Sequence, residues 1–154
     1  MKERIPMNAL QQELDADDIR RLTAIEYDCF SMPWEEADFY AAKERGCRFY
    51  LCHIAELIVG YCISSPVKGG TRIENLAISK CSRRKGLARG ALERLFAALP
   101  PGKKLIAYVC DWNLGAQLFF RACGFRAEKV KRNFFDDASD AYLFVLRKPV
   151  EMLP

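Results

Sequence analysis

The stretch Ile78-Ser79-Lys80-Cys81-Ser82-Arg83-Arg84-Lys85-Gly86-Leu87-Ala88 is where residue types and spacing first suggest chemistry. A strand-like run ends there, a basic loop follows, and an apolar helical pattern opens at a glycine. Backbone N–H groups at a helix start lack partners within the helix and sit at the positive end of its dipole, so such a junction can grip phosphate. Gly86 and Ala88 leave room for a ligand to approach the backbone, and Arg83, Arg84, Lys85 and Arg89 add positive charge. The same composition also suits a solvated basic loop ahead of a helix. The spacing matches neither a Walker A loop nor GxGxxG, so nucleoside triphosphate and dinucleotide chemistry lose support.

Other reactive side chains read more plainly. Seven cysteines stand at 29, 47, 52, 62, 81, 110 and 123 with no CxxC, and His53 is the single histidine. That leaves no zinc set at usual spacing, so no metal is expected. The thiols read as reduced, buried and acting as small hydrophobes. His53 reads as a strand residue without a catalytic role.

The elements that must position the basic junction follow from periodicity. Asp15 suits the N-cap of a helix running to about Phe30, with Asp17 and Asp18 in its first turn and Ile19, Leu22, Ile25, Cys29 and Phe30 as its apolar stripe. A short second helix is expected over Glu35–Arg45, stopped by Gly46. Two strand-like runs, Arg48–Ile54 and Leu57–Ser64, form a hairpin, and Pro66, Gly69 and Gly70 a loop. Arg72–Ile78 reads as a further strand, with Arg72, Glu74, Leu76 and Ile78 on one face. Leu87–Leu99 is an amphipathic helix ended by Pro100-Pro101-Gly102. Lys104–Cys110 is a strand, Leu114–Cys123 a helix, and Phe125–Arg132 and Ala141–Leu146 the last two strands. A first strand near the N-terminus is also expected. The order describes one mixed α/β (α+β) unit.

A chain of 154 residues suits one domain, taken as 1–154. With 51% hydrophobic and 29% charged residues it is neither disordered nor fibrous. No apolar run approaches the roughly 18–20 residues of a membrane span. Met1–Pro6 is followed by no signal-like apolar stretch, so a soluble, cytoplasmic protein without a membrane partner is expected. The net charge of +4 is too mild to argue for nucleic acid. The basic residues of Lys80–Arg94, with Lys129, Lys131 and Arg132, lack interleaved aromatics, so no nucleic-acid partner is expected.

Arg83-x-x-Gly86-x-Ala88, preceded by Asn75-Leu76-Ala77-Ile78, resembles the acetyl-CoA pyrophosphate motif of the GNAT superfamily of N-acetyltransferases. Asn113 followed by Phe119-Phe120-Arg121-x-x-Gly124-Phe125 resembles a second segment of that family. Phe30-Ser31-Met32-Pro33-Trp34 and Arg132-Asn133-Phe134-Phe135…Asp140-Ala141 resemble its ribosomal-protein alanine N-acetyltransferase branch. The similarity covers about residues 10–147. It implies a central mixed, mostly antiparallel sheet of six to seven strands, flanked by about four helices, whose central strands splay apart around acetyl-CoA, the co-substrate. By position, Leu76, Ala77 and Ile78 would offer backbone groups to the pantetheine arm. Arg83, Arg84, Lys85, Gly86, Leu87 and Ala88, with Arg89, would hold the pyrophosphate. Asn113 and Phe120 would complete the cofactor side, and Pro33, Trp34, Phe134 and Phe135 would contact the acceptor. Pro33-Trp34 also suits a packed loop anchor, and Phe134-Phe135 equally suits core. A monomer or weak dimer is expected.

Acetyl transfer requires a neutral amine, a polarised thioester carbonyl and a stabilised leaving thiolate. An α-amine, with a reference pKa near 8, needs less help than lysine near 10.4. The branch's glutamate base and tyrosine acid fall here at Tyr108 and Phe120, and its acceptor-side tyrosine pair at Phe134-Phe135. Three readings stay open. Tyr108 orients a water that carries the amine proton to Glu74; or the enzyme works by positioning alone; or the protein binds acetyl-CoA without transfer. Glu74 equally suits an ordinary strand-face ion pair with a neighbour such as Arg72. Asp136, Asp137 and Asp140 suit solvated turn residues. The expected acceptor is the α-amine of a protein or peptide N-terminus, a ribosomal protein being one candidate; the alternatives are a small-molecule amine and a silent acyl-CoA-binding module.

Overall fold

The computed structural model describes residues 13–151, so the strand expected near the N-terminus lies outside the described residues. Among the described residues six strands hydrogen-bond in the order β1-β2-β3-β4-β6-β5, and four α-helices accompany them. The described residues divide into two compact units: 13–65 with Glu74–Arg94, and Pro66–Ile73 with 95–151.

In the first unit, α1 spans Ala16–Cys29 and begins with a reciprocal cap. The Asp15 carboxylate accepts from the Asp18 N–H at 2.8 Å, and Asp18 accepts from the Asp15 N–H at 3.0 Å. Those bonds satisfy two groups that a helix start otherwise leaves unpaired. Helix α2 (Glu36–Glu44) follows, then the antiparallel hairpin β1 (Arg48–Ile54) and β2 (Leu57–Val67). Residues 49–52 are buried on both faces of β1, which is why that run reads as continuously apolar rather than alternating. Ile19 and Leu22 of α1, Phe39 of α2, and Tyr61 and Ile63 of β2 form the core. Phe39 meets Trp34 and Tyr61 edge-on, at ring separations of 5.2 and 5.6 Å.

The loop expected over Pro66–Gly70 shrinks to Lys68-Gly69, because β2 continues to Val67 and β3 (Gly70–Ile78) starts two residues early. Pro66 is tolerated because β1 ends its pairing at Arg48 opposite Ser64, so no β1 carbonyl needs the missing N–H. Gly70 is required there: a Cβ would stand 1.8 Å from the Lys104 carbonyl oxygen.

In the second unit, the parallel pairing of β3 with β4 (Lys104–Cys110) covers Gly70–Ile73 against Lys104–Ala107, the first half of each strand. β4 pairs antiparallel with β6 (Ala141–Arg147) along its whole length, and β6 with β5 (Arg126–Lys131). Phe120 of α4 (Leu114–Ala122) packs on Phe125 and Phe144, and Leu105 and Ala107 complete this core. Every residue of β5 is exposed, and its charges blunt the end of the sheet order against further pairing.

Candidate active site

Past Ile78 the chain makes a short 3-10 turn, Lys80–Ser82, then an exposed loop, Arg83–Gly86, and enters α3 (Leu87–Ala98). Arg84 and Gly86 adopt left-handed backbone, with φ of +64° and +78°. A Cβ on Gly86 would meet no protein atom within 4 Å, so backbone conformation rather than crowding within the chain calls for glycine. A Cβ on Gly90 would also meet open space. The Gly90 N–H bonds the Gly86 carbonyl at 2.9 Å, and the amides of Leu87 and Ala88 lie ahead of that bond. An exposed turn, helix-start amides and the charges of Arg84 and Lys85 together fit a pyrophosphate.

Arg83 is committed otherwise. Its Nε donates to the Ile78 carbonyl at 2.9 Å and its guanidinium reaches the Cys29 Sγ at 3.3 Å. The Cys29 thiol also donates to the Ile78 carbonyl, at 3.4 Å. Arg83 therefore ties the end of β3 to the end of α1. Half-buried Leu76 donates its N–H to its neighbour's Asn75 Oδ1 at 2.9 Å, while Ala77 and Ile78 are buried. Cys81 is an exposed thiol whose pKa is lowered, chiefly by the hydrogen bond with Ser79 and then by Ser82. The expectation of uniformly buried thiols needs correcting: Cys52 and Cys62 are fully buried, four others are partly covered, and Cys81 faces solvent.

Glu74 is 15% exposed, accepts from Ser65 Oγ at 2.6 Å and lies 3.7 Å from the Arg45 guanidinium. Pro33 and Trp34 are half-buried in the α1–α2 loop. The Trp34 N–H donates to Glu26, a carboxylate that sequence reasoning did not single out. Glu26 is only 2% exposed and also accepts from Asn75 Nδ2 at 2.8 Å and from the Tyr61 hydroxyl. Burial, reinforced by Glu26, pushes the Tyr61 phenol far above its ordinary pKa.

In the second unit, Tyr108 stacks on Phe134 at 4.6 Å, and Phe135 meets Phe134 edge-on at 4.9 Å. The Arg72 guanidinium stands 4.8 Å and the Lys131 ammonium 5.3 Å from the Tyr108 ring centre. The strand register explains this: Arg72 is opposite Ile106, two residues before Tyr108, and Lys131 is opposite Ala141, two before Leu143, the partner of Tyr108. Asn113 caps α4, its Oδ1 accepting from the Ala116 N–H at 3.1 Å. Phe120 belongs to the core of this unit. Asp140 holds Arg132 at 3.0 Å and the Asn133 N–H at 2.9 Å, and Asp137 accepts from the Ser139 N–H at 2.9 Å, so both organise the β5–β6 turn. Among the described residues no group of three or more His, Cys, Asp or Glu is arranged to hold a metal, and no helix is long and apolar enough to cross a membrane.

The exposed glycine turn before α3 and the mixed sheet of the described residues point to a class that sequence comparison also reaches. The profile of the acetyltransferase (GNAT) family matches residues 19–125, and the chain belongs to that family. It is an acetyl-CoA-dependent N-acetyltransferase. An uncharacterised N-acetyltransferase of Methanocaldococcus jannaschii is 24% identical over 143 residues, covering 90% of this chain and 91% of that one. The fold resembles the ribosomal-protein-S18-alanine N-acetyltransferase of Escherichia coli, with a TM-score of 0.73 at 21% identity over 93% of this chain and 94% of that one. It also resembles Ard1 of Thermoplasma volcanium, with a TM-score of 0.76 at 20% identity over 91% and 97% of the two chains.

Proposed function

We propose that the acceptor is the α-amine of a protein or peptide N-terminus, acetylated by direct attack in a ternary complex. The observation that carries the donor half is the exposed, left-handed turn at Gly86, open to solvent where a Cβ would stand. Leu76–Ile78 take the pantetheine arm, Arg84 to Ala88 and Arg89 the pyrophosphate, and Asn113 the cofactor beyond. Arg83 contributes by holding the strand end from which that arm is read. Acetyl-CoA supplies the acetyl group as a thioester; the C–N bond forms as the C–S bond breaks, CoA leaves as its thiolate, and the new amide nitrogen gives up its extra proton to solvent water.

On the acceptor side, an amine reacts only after losing its proton. Arg72 and Lys131 beside Tyr108 make that site unfavourable for an ammonium group, so a nearby amine sheds its proton more readily. An α-amine needs only that modest push, whereas a lysine needs more. Tyr108 orients the water that receives the proton, and Glu74, in its contacts with Ser65 and Arg45, is the carboxylate that takes it up. Phe120, buried among Phe125 and Phe144, offers no proton to the leaving thiolate, which departs unassisted. A cytoplasmic setting suits seven free thiols. Likeness in fold to an S18 alanine N-acetyltransferase supports a ribosomal or other protein terminus as acceptor.

The test is the rate of CoA release with three acceptors: a peptide with a free N-terminus, the same peptide blocked there but carrying lysine, and small primary amines. The free-terminus peptide is expected to be preferred at neutral pH. Preference for a small amine would replace the peptide reading, and no release despite acetyl-CoA binding would indicate a silent module.

A further inference from the structure

We infer that Glu26 is a positioning residue that fixes the acceptor loop of α1–α2 to the donor-binding stretch of β3; this rests on the reading above of Pro33-Trp34 and Leu76–Ile78. Glu26 lies on the last turns of α1, is almost fully buried, and has three neutral donors from three different elements. Oε2 accepts from the Trp34 backbone N–H at 2.9 Å, and Oε1 from Asn75 Nδ2 at 2.8 Å and from the Tyr61 hydroxyl. Asn75 in turn accepts from the Leu76 N–H. One continuous hydrogen-bonded path thus joins the loop backbone beside Pro33 to the backbone of the β3 end.

A buried carboxylate met only by neutral donors is a costly way to fill a core. Apolar residues of similar volume often serve stability as well or better. What an apolar side chain cannot do is hold a loop amide and a strand asparagine at fixed separation. A carboxylate has two oxygens that both accept, so it can serve both arms at once. An uncharged amide cannot: with its oxygen toward Asn75 and Tyr61, its NH2 faces the Trp34 N–H, donor against donor.

The experiment compares the full chain with its substituted variants. Glu26→Gln is expected to raise the acceptor KM about tenfold, the scale of one buried hydrogen bond lost, while the acetyl-CoA dissociation constant measured by calorimetry stays within about twofold. The double variant Glu26→Leu/Tyr61→Phe replaces the polar core by apolar groups. It leaves the Trp34 N–H and Asn75 Nδ2 without their acceptor, so it is expected to melt below the wild type and to keep the raised acceptor KM. If the acceptor KM returns to the wild-type value although the carboxylate is gone, Glu26 is only structural and the inference fails. In a Trp112→Phe background Trp34 is the sole tryptophan. Its fluorescence is expected to shift to the red in Glu26→Gln as the loop loosens; an unchanged spectrum overturns the inference. That readout holds even if the wild type transfers nothing, so failure of the transfer reading and failure of this inference give different results.

Discussion

The two ends of α3 are treated in opposite ways. At its C-terminal end the Lys148 ammonium donates to the carbonyls of Phe96, Ala97 and Leu99 at 3.2, 3.1 and 2.8 Å and lies over the Phe96 ring. A cation there complements the negative end of the helix dipole and satisfies carbonyls that a helix end leaves unpaired. At its N-terminal end the chain arrives through an exposed, left-handed turn, and a Cβ at Gly86 meets no protein atom. One end is closed by the protein's own side chain, whereas the other has the geometry to be completed by an anion. The difference separates a helix end whose groups stabilise the fold from one that the chain leaves open.

Gly86→Trp attacks the open end, and the largest effect is expected there. A side chain at φ +78° is strained by roughly 1–3 kcal/mol and fills the space before the helix. Acetyl-CoA affinity should fall by on the order of a hundredfold in a calorimetric titration, while circular dichroism shows the fold retained. Glu74→Gln asks whether the acceptor half responds separately. A lost proton acceptor should lower kcat about a hundredfold, with acetyl-CoA binding unchanged. An unchanged kcat removes Glu74 as the base.

Lys148→Ala breaks the closed end. It is expected to cost about 1–2 kcal/mol of stability in denaturant unfolding, the scale of charge-assisted helix-end hydrogen bonds, with acetyl-CoA affinity unchanged. A loss of affinity with no loss of stability would reverse the contrast between the two ends. The smallest expected effect concerns Cys81, beside the open end. Its lowered pKa means more thiolate at a given pH, so at pH 7.5 iodoacetamide should modify Cys81 before Cys52, which burial pushes up to about 12. Acetyl-CoA should slow that modification several-fold; identical rates with and without it would place the ligand elsewhere.

The turn and helix start at the open end were legible in the sequence because their residues are consecutive, from Ile78 to Ala88. The helices α1 and α3 were legible for a similar reason, since their caps and stripes are local. The Glu26 knot was not read, although a signal was present. With Ile19 and Leu22 as the stripe, position 26 falls one turn after Leu22, so a glutamate there is a charge on the buried face. Its partners at 34, 61 and 75 meet only in the folded chain. The cations over Tyr108 depend likewise on the register of β3, β4, β5 and β6, which no local pattern specifies. Pro66 and Gly70 were read as loop residues by type. Pairing decided otherwise, because β1 ends before Pro66 and Lys104 comes too close to Gly70 for any side chain.

The most direct test of acetyl transfer to an α-amine is to incubate the protein with acetyl-CoA and one peptide carrying both a free N-terminus and an internal lysine, then locate the acetyl group by mass spectrometry. Acetyl is expected on the α-amine and is expected to be lost when Gly86 is replaced by Trp. Acetyl on the lysine, or none despite measured acetyl-CoA binding, would contradict transfer to the α-amine.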